Sequence, residues 1–320
     1  MPEGRRVADL ALRIRGLRRR YGATVALDGL DLDVPRGVIC GLVGPNGAGK
    51  TTTMGIVAGL IRPDAGTVDV LGEGPFDPTR HAGRVGLLPQ DCAMPASLPV
   101  GEVLAYYGRL QGLSTSMARR AADRLLDEVD LADRAGQRIG QLSHGMRRRV
   151  AVAQALIGDP ELVLLDEPTS GLDPHLVVRM RALLRTRRGR CTIVVSSHIL
   201  AELEATCDHV IFMERGRCTA AGSMAELTGR SRQVIVELEP GLDAPALVPS
   251  LQGAGLRAQV DGTRLVVTGP TGEGTAALNA RLLPVLLAAG APIVEVQAGR
   301  SLEATWMASR ADPPPGPKPG

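Results

Sequence analysis

Lysine is almost missing from this chain: of its 37 lysines and arginines, only Lys50 and Lys318 are lysine. Lys318 stands in a proline- and glycine-rich tail, so Lys50 is the one lysine inside the body of the sequence. Cysteine is scattered. Cys40, Cys92, Cys191, Cys207 and Cys218 form no C-x-x-C pair, and an odd number without a secretory leader points to thiols without a metal in a reducing compartment. Long apolar runs are lacking as well. The longest, Leu282 to Val294, holds Pro284, Gly290 and Pro292 and falls short of the ~20 residues a spanning helix needs, so no bilayer crossing is expected. The N-terminus carries arginines and Asp9 but no sustained apolar stretch before a small-residue cleavage site, so it does not read as a signal peptide, and a cytoplasmic chain is expected. Neither sign of charge dominates. A net charge of +3 favours neither nucleic acid nor a membrane surface, and the clusters Arg18, Arg19, Arg20 and Arg147, Arg148, Arg149 read as solvated faces.

What is present is more specific. Lys50 closes Gly44-Pro45-Asn46-Gly47-Ala48-Gly49-Lys50-Thr51, a complete G-x-x-x-x-G-K-[ST] phosphate-binding loop. A compact ammonium on a thin stem reaches between β- and γ-phosphates where a broad planar guanidinium does not fit equivalently. The apolar run Val38 to Val43 before the loop reads as a strand, and Lys50 to Leu60 after it reads as a helix. In that setting successive backbone N–H groups and the positive helix end cradle phosphate, Lys50 adds charge, and Thr51 can ligate Mg²⁺. The alternative is a plain glycine-rich turn. Farther on, Leu162-Val163-Leu164-Leu165-Asp166-Glu167 is an apolar strand ending in two carboxylates. That puts Asp166 at the sheet edge where Mg²⁺ would sit, with Glu167 next in line to orient or deprotonate a water. Its bland counterpart is an acidic strand end capping the turn at Pro168-Thr169.

With 44% hydrophobic residues in 320, the chain can bury one large core and a smaller one, so two domains are expected. Short apolar runs at Val85 to Leu88, Leu162 to Leu165, Thr192 to Ser196 and His209 to Met213 predict an α/β fold with a mainly parallel, helix-covered sheet. Between about Leu98 and Asp159 the pattern is helical, an inserted subdomain. Beyond Thr228 the pattern is strand (Gln233 to Glu239), helix (Ala244 to Gln252), strand (Arg257 to Val260), a turn at Asp261-Gly262, and strand (Arg264 to Thr268). A helix (Thr275 to Ala289), a strand (Ile293 to Gln297) and a last helix (Leu302 to Ala308) follow, which together read as a split βαβ domain. Asp312 to Gly320, mostly proline and glycine, is expected to be disordered.

Tyr21, the Lys50 loop, Gln90, Leu142-Ser143-His144-Gly145-Met146, Asp166-Glu167, Ser170-Gly171-Leu172-Asp173 and His198 occur in an order that resembles the ATP-binding subunit of ATP-binding cassette (ABC) transporters, over about residues 10 to 225. The resemblance implies a P-loop ATPase domain over 10–228 with its helical subdomain at about 98–159, an accessory α+β domain over 231–309, and a tail over 310–320. It implies ATP held by the loop from Gly44 through Thr51 and Thr52, and Mg²⁺ held by Thr51, Gln90 and Asp166. Glu167 and His198 become the catalytic pair. Tyr21 matches the aromatic that stacks on adenine, its other reading being a core aromatic beside a strand. Asp173 matches the aspartate linking the two sites of a dimer, and Ser143 and Gly145 match groups offered to ATP on the opposing subunit.

The signature departs from the family's Leu-Ser-Gly-Gly-Gln in having His144 and Met146. Because the helix end does the work there, activity is still expected, with the approach of the opposing phosphate in question. Met146 followed by three arginines resembles the ABC-2 type, drug-exporter subfamily; Ser301-Leu302-Glu303-Ala304-Thr305-Trp306-Met307 resembles its closing helix or is simply an amphipathic one. Implied partners are a second cassette, as homodimer or paired subunit, and a separate transmembrane permease, with the chain peripheral on the inner membrane face and no nucleic acid bound. A soluble cassette clamping nucleic acid or the ribosome is the alternative, against which the chain has neither a second cassette nor long coiled-coil insertions. A regulatory ATP-binding module without turnover is a third, disfavoured by the intact Asp166, Glu167 and His198.

Overall fold

The computed structural model describes residues 9–91, 93–229, 233–241, 244–269, 275–299, 302–303 and 305–306. The chain divides into two compact units, Met1–Ala221 and Gly222–Gly320. In the first, β1 (Leu10–Tyr21) pairs antiparallel with β2 (Thr24–Pro35). Next come β3 (Ile39–Val43), α1 (Lys50–Val57) and β4 (Ala65–Val70), which joins the other edge of β1 to give a three-stranded sheet. The apolar runs in the sequence do not predict this sheet. In β1, Leu10, Ala11, Leu12, Ile14 and Leu17 are buried; from Ile14 to Leu17 the two-residue alternation slips by one, and one of the irregularities in the pairing with β2 falls there, around Gly16 at φ 57°.

β5 (Val85–Leu88), the helices α2 (Val100–Leu110), α3 (Thr115–Glu128) and α4 (His144–Leu156), β6 (Leu162–Asp166), α5 (Pro174–Thr186), β7 (Thr192–Ser197), α6 (Leu200–Glu204), β8 (His209–Glu214) and β9 (Arg217–Ser223) follow. The second sheet has six strands in the order β5-β6-β7-β3-β8-β9, with β5 through β8 paired in parallel as expected. All residues of β3, β6 and β7 are buried, the condition of a parallel sheet covered on both faces, and this is why their sequences run apolar without alternation. Helix α1 stops at Val57 where the sequence suggests Leu60. Gly59 turns left-handed at φ 72°, the Leu60 N–H bonds back to Gly55 O at 2.8 Å, and Leu60 stays exposed.

The second unit holds α7 (Met224–Thr228), β10 (Gln233–Leu238), α8 (Val248–Gly253), β11 (Arg257–Asp261), β12 (Arg264–Thr268), α9 (Thr275–Ala288) and β13 (Ile293–Ala298). Its four strands form an antiparallel sheet in the order β11-β12-β10-β13, as a split βαβ pattern requires. Leu278, Leu282 and Leu286 make one stripe of α9 and are fully buried against Val234, Val236 and Leu265. A two-residue loop with Gly262 at φ 60° joins β11 to β12. Of the closing helix, Leu302 is buried and Trp306 half-buried; the expected tail lies outside the described residues. No helix among the described residues is long and apolar enough to cross a membrane. Cys40, Cys191, Cys207 and Cys218 are free thiols, with burial pushing Cys191 up to about 12 and Cys218 to about 11. Cys92 lies outside the described residues.

Candidate active site

Parallel register decides where the functional groups emerge. Asp166 at the end of β6 sits opposite Ser196 of β7, and Ser197 sits opposite Val43 of β3. Three neighbouring strands therefore deliver the glycine loop, the acidic pair and His198 to one sheet edge, where parallel α/β sheets bind ligands.

The loop is shaped by its glycines. Gly49 caps α1 at φ 101° and supplies no side chain, so the first N–H groups of the helix are left for an anion. A Cβ on Gly44 would lie 2.3 Å from Met213 O. The Lys50 ammonium is buried under the loop, donating to Gly44 O at 2.7 Å and Pro45 O at 3.1 Å. Burial lowers its pKa, and the charges of Glu167 and Asp166 push the other way. A Cβ on Gly49 would meet Ala26 O at 2.6 Å and a Leu27 methyl at 2.7 Å, on top of the positive φ. Gly49→Ala is accordingly expected to lose about 1–3 kcal/mol of stability in urea unfolding. Wild-type stability would contradict this loop geometry.

The acidic end is held by hydroxyls. Thr51 Oγ1 donates to Asp166 Oδ2 at 2.7 Å, and Ser196 Oγ donates to Asp166 Oδ1. The same Ser196 oxygen accepts the Glu167 N–H at 2.9 Å. Glu167 itself is left-handed at φ 49°, an uncommon conformation for a residue with a side chain. Its Oε1 lies 3.2 Å from His198 Nδ1. The Thr51 hydroxyl and Asp166 carboxylate converge as the hard oxygen donors that suit Mg²⁺. Gln90 is exposed in the loop after β5, and its carbonyl accepts from Arg148 Nη1 at 3.1 Å.

Lys50, Thr51, Asp166, Glu167 and His198 are thus brought together. Among the described residues, no hydrogen bond or ion pair joins Tyr21, Ser143, Gly145 or Asp173 to that group. Tyr21 is 45% exposed at the end of β1 with the Arg19 guanidinium 4.8 Å from its ring centre, so it is not a core aromatic. Ser143 caps α4, its hydroxyl accepting the Met146 N–H at 3.2 Å. Gly145 lies against Leu172, and Asp173 stands exposed at the N-cap, just before α5.

Two residues of the site are not singled out by the sequence motifs. In sequence Ser196 reads only as a strand residue, although a polar residue ending an apolar strand beside the acidic one is a visible signal. The sequence places Arg148 in a cluster expected to be a solvated face. That expectation is overturned: Arg148 and Arg149 are buried, and their guanidiniums grip backbone carbonyls of Gln90 and Glu167, and of Val129 and Asp130, respectively.

A family model for the ABC transporter matches residues 27–170. The daunorubicin resistance ATP-binding protein DrrA3 of Streptomyces coeruleorubidus is 39% identical over 282 residues, covering 85% of this chain and 87% of that protein. The Nod factor export ATP-binding protein I of Ralstonia nicotianae is 39% identical over 259 residues, covering 79% of this chain and 80% of the relative. Among solved structures, the ATP-binding subunit of an ABC transporter aligns with a TM-score of 0.62 at 28% identity, over 69% of this chain and 92% of that one. CbiO1 from Clostridium perfringens, part of the ABC transporter complex cbiONQ, aligns with a TM-score of 0.61 at 27% identity, over 69% and 91%. The chain belongs to the ABC transporter family, as an ATP-binding subunit of the exporter type whose ATP hydrolysis is coupled to transport.

Proposed function

We propose that Lys50, Thr51, Asp166, Glu167 and His198 form the hydrolytic half-site of this ATPase. The observation that carries this reading is their convergence at the ends of β3, β6 and β7. In it, the loop from Gly44 to Thr52 holds the triphosphate through main-chain N–H groups while Lys50 neutralises the β- and γ-phosphates. Glu167 accepts the proton of a water attacking the γ-phosphorus, and His198, 3.2 Å from its carboxylate, fixes the direction in which that carboxylate points. Mg²⁺, when bound, would be held by Thr51, Asp166 and Gln90 and supply charge neutralisation between the phosphates. Tyr21 stacks on adenine with its exposed ring.

The site is completed by a second cassette, whose Ser143 and Gly145 face this ATP and whose Asp173 links the two sites. We assign the nucleotide-binding domain to residues 10–228, with its helical part at about 98–159, and the accessory domain to 231–309. The pair drives a separate membrane-spanning partner at the inner face of the membrane. Relatives named for daunorubicin resistance and Nod factor export support export of a small organic molecule.

An adjacent reading frame is expected to encode a multi-span protein, and co-expression with it should move the chain into the membrane fraction, with the two co-purifying in detergent. Recovery with ribosomes or nucleic acid, and from no membrane fraction, would support the clamp reading and contradict this one.

A further inference from the structure

Arg148 lies on α4 and is only 5% exposed. Its Nε and Nη2 both donate to Glu167 O, at 3.2 and 2.7 Å, and Nη2 also donates to Asp166 O. From the other side of the fork, Nη1 donates to Gln90 O at 3.1 Å and Pro89 O at 3.4 Å. One planar group thus ties the helical block to the end of β6 and to the loop after β5. The neighbouring arginines do something else: Arg147 bonds Leu142 O beside the start of its own helix, and Arg149 bonds Val129 O and Asp130 O beyond α3.

What Arg148 grips is the peptide of the residue read as the catalytic base. Glu167 sits at φ 49°, a conformation that persists only when its surroundings over-determine it. Ser196 holds its N–H and Arg148 holds its carbonyl, so the backbone is clamped at both ends and the carboxylate is aimed at His198. We propose that Arg148 is a positioning residue for hydrolysis, setting the Glu167 carboxylate and tying that setting to the Gln90 loop. A shift of that loop then reaches the base through a single guanidinium. The proposal rests on reading Glu167 as the base.

The test compares R148M and R148K with wild type and with E167Q, measuring steady-state ATPase and, separately, binding of a fluorescent trinitrophenyl-ATP. R148M is expected to lose about 10- to 100-fold in kcat, the usual loss when a partner that orients a reacting group is removed, with nucleotide affinity unchanged. R148K should recover part of the rate, because an ammonium is a point donor and cannot span both pairs of carbonyls. In the E167Q background R148M should add no further loss, as expected for residues acting as one unit. Wild-type kcat in R148M, losses that multiply in the double variant, or affinity falling in step with rate would overturn the proposal. Should R148M fail to fold, R148K decides alone: lowered kcat at unchanged affinity supports the clamp, and a wild-type rate overturns it. E167Q at wild-type rate would sink the base reading itself, whereas an inactive E167Q beside a fully active R148M sinks only the role of Arg148.

Discussion

Lys50→Ala is expected to reduce ATP hydrolysis at least about 10²- to 10³-fold, the loss typical of removing a preorganised charge from a developing anion. Lys50 is 7% exposed, its ammonium held under the loop by Gly44 O and Pro45 O. Those carbonyls are a resting place. Phosphate oxygens arriving over the loop offer the charge a better partner than neutral carbonyls, and they reverse the burial penalty that lowers its pKa. Lys50→Arg is expected to do little better, although arginine is this chain's usual cation. Its fork needs width where the loop packs so closely that a single added carbon at Gly44 would collide with Met213 O. ATPase rates and nucleotide binding of both variants check this; a Lys50→Arg protein hydrolysing at the wild-type rate would contradict it.

Glu167→Gln is expected to lower the hydrolytic rate about 10²- to 10⁴-fold, the range for removing a positioned general base, while ATP still binds. The amide keeps the size of the carboxylate and its reach toward His198, and loses the capacity to take a proton. The Ser196 and Arg148 contacts are made by the Glu167 backbone and survive the change, so the loop should keep its shape. Single-turnover hydrolysis set against equilibrium binding separates the two effects. Loss of binding in proportion to rate would mean that Glu167 holds nucleotide and does not process water.

The parts of this fold that declared themselves in sequence are those buried on both faces. β3, β6, β7 and β8 are short continuous apolar runs because helices cover both sides of their sheet, and the glycine loop is legible because its spacing is dictated by backbone geometry. β12 in the small unit falls on the expected residues, Arg264–Thr268, since the glycine turn before it pins one end. β1 and β2 are not legible as strands because arginines in β1 and aspartates in β2 interrupt their apolar runs and the register shift near Gly16 breaks the alternation. The burial of Arg148 and Arg149 had no local signal at all. Their carbonyl partners lie between 18 and 59 residues away along the chain, and only the folded arrangement turns a basic cluster into two buried clamps. His198 and Glu167, 31 residues apart, meet for a legible reason, since each directly follows the end of a strand of the same parallel sheet.

Each hydrolytic site is proposed to form between two cassettes, and for a pair made of two copies of this chain the decisive experiment is sedimentation of the Glu167→Gln protein with and without ATP. A monomer of 33.6 kDa is expected without nucleotide and a dimer once ATP is added, because a slowed base leaves the closed pair intact. A protein that binds ATP and stays monomeric would contradict it.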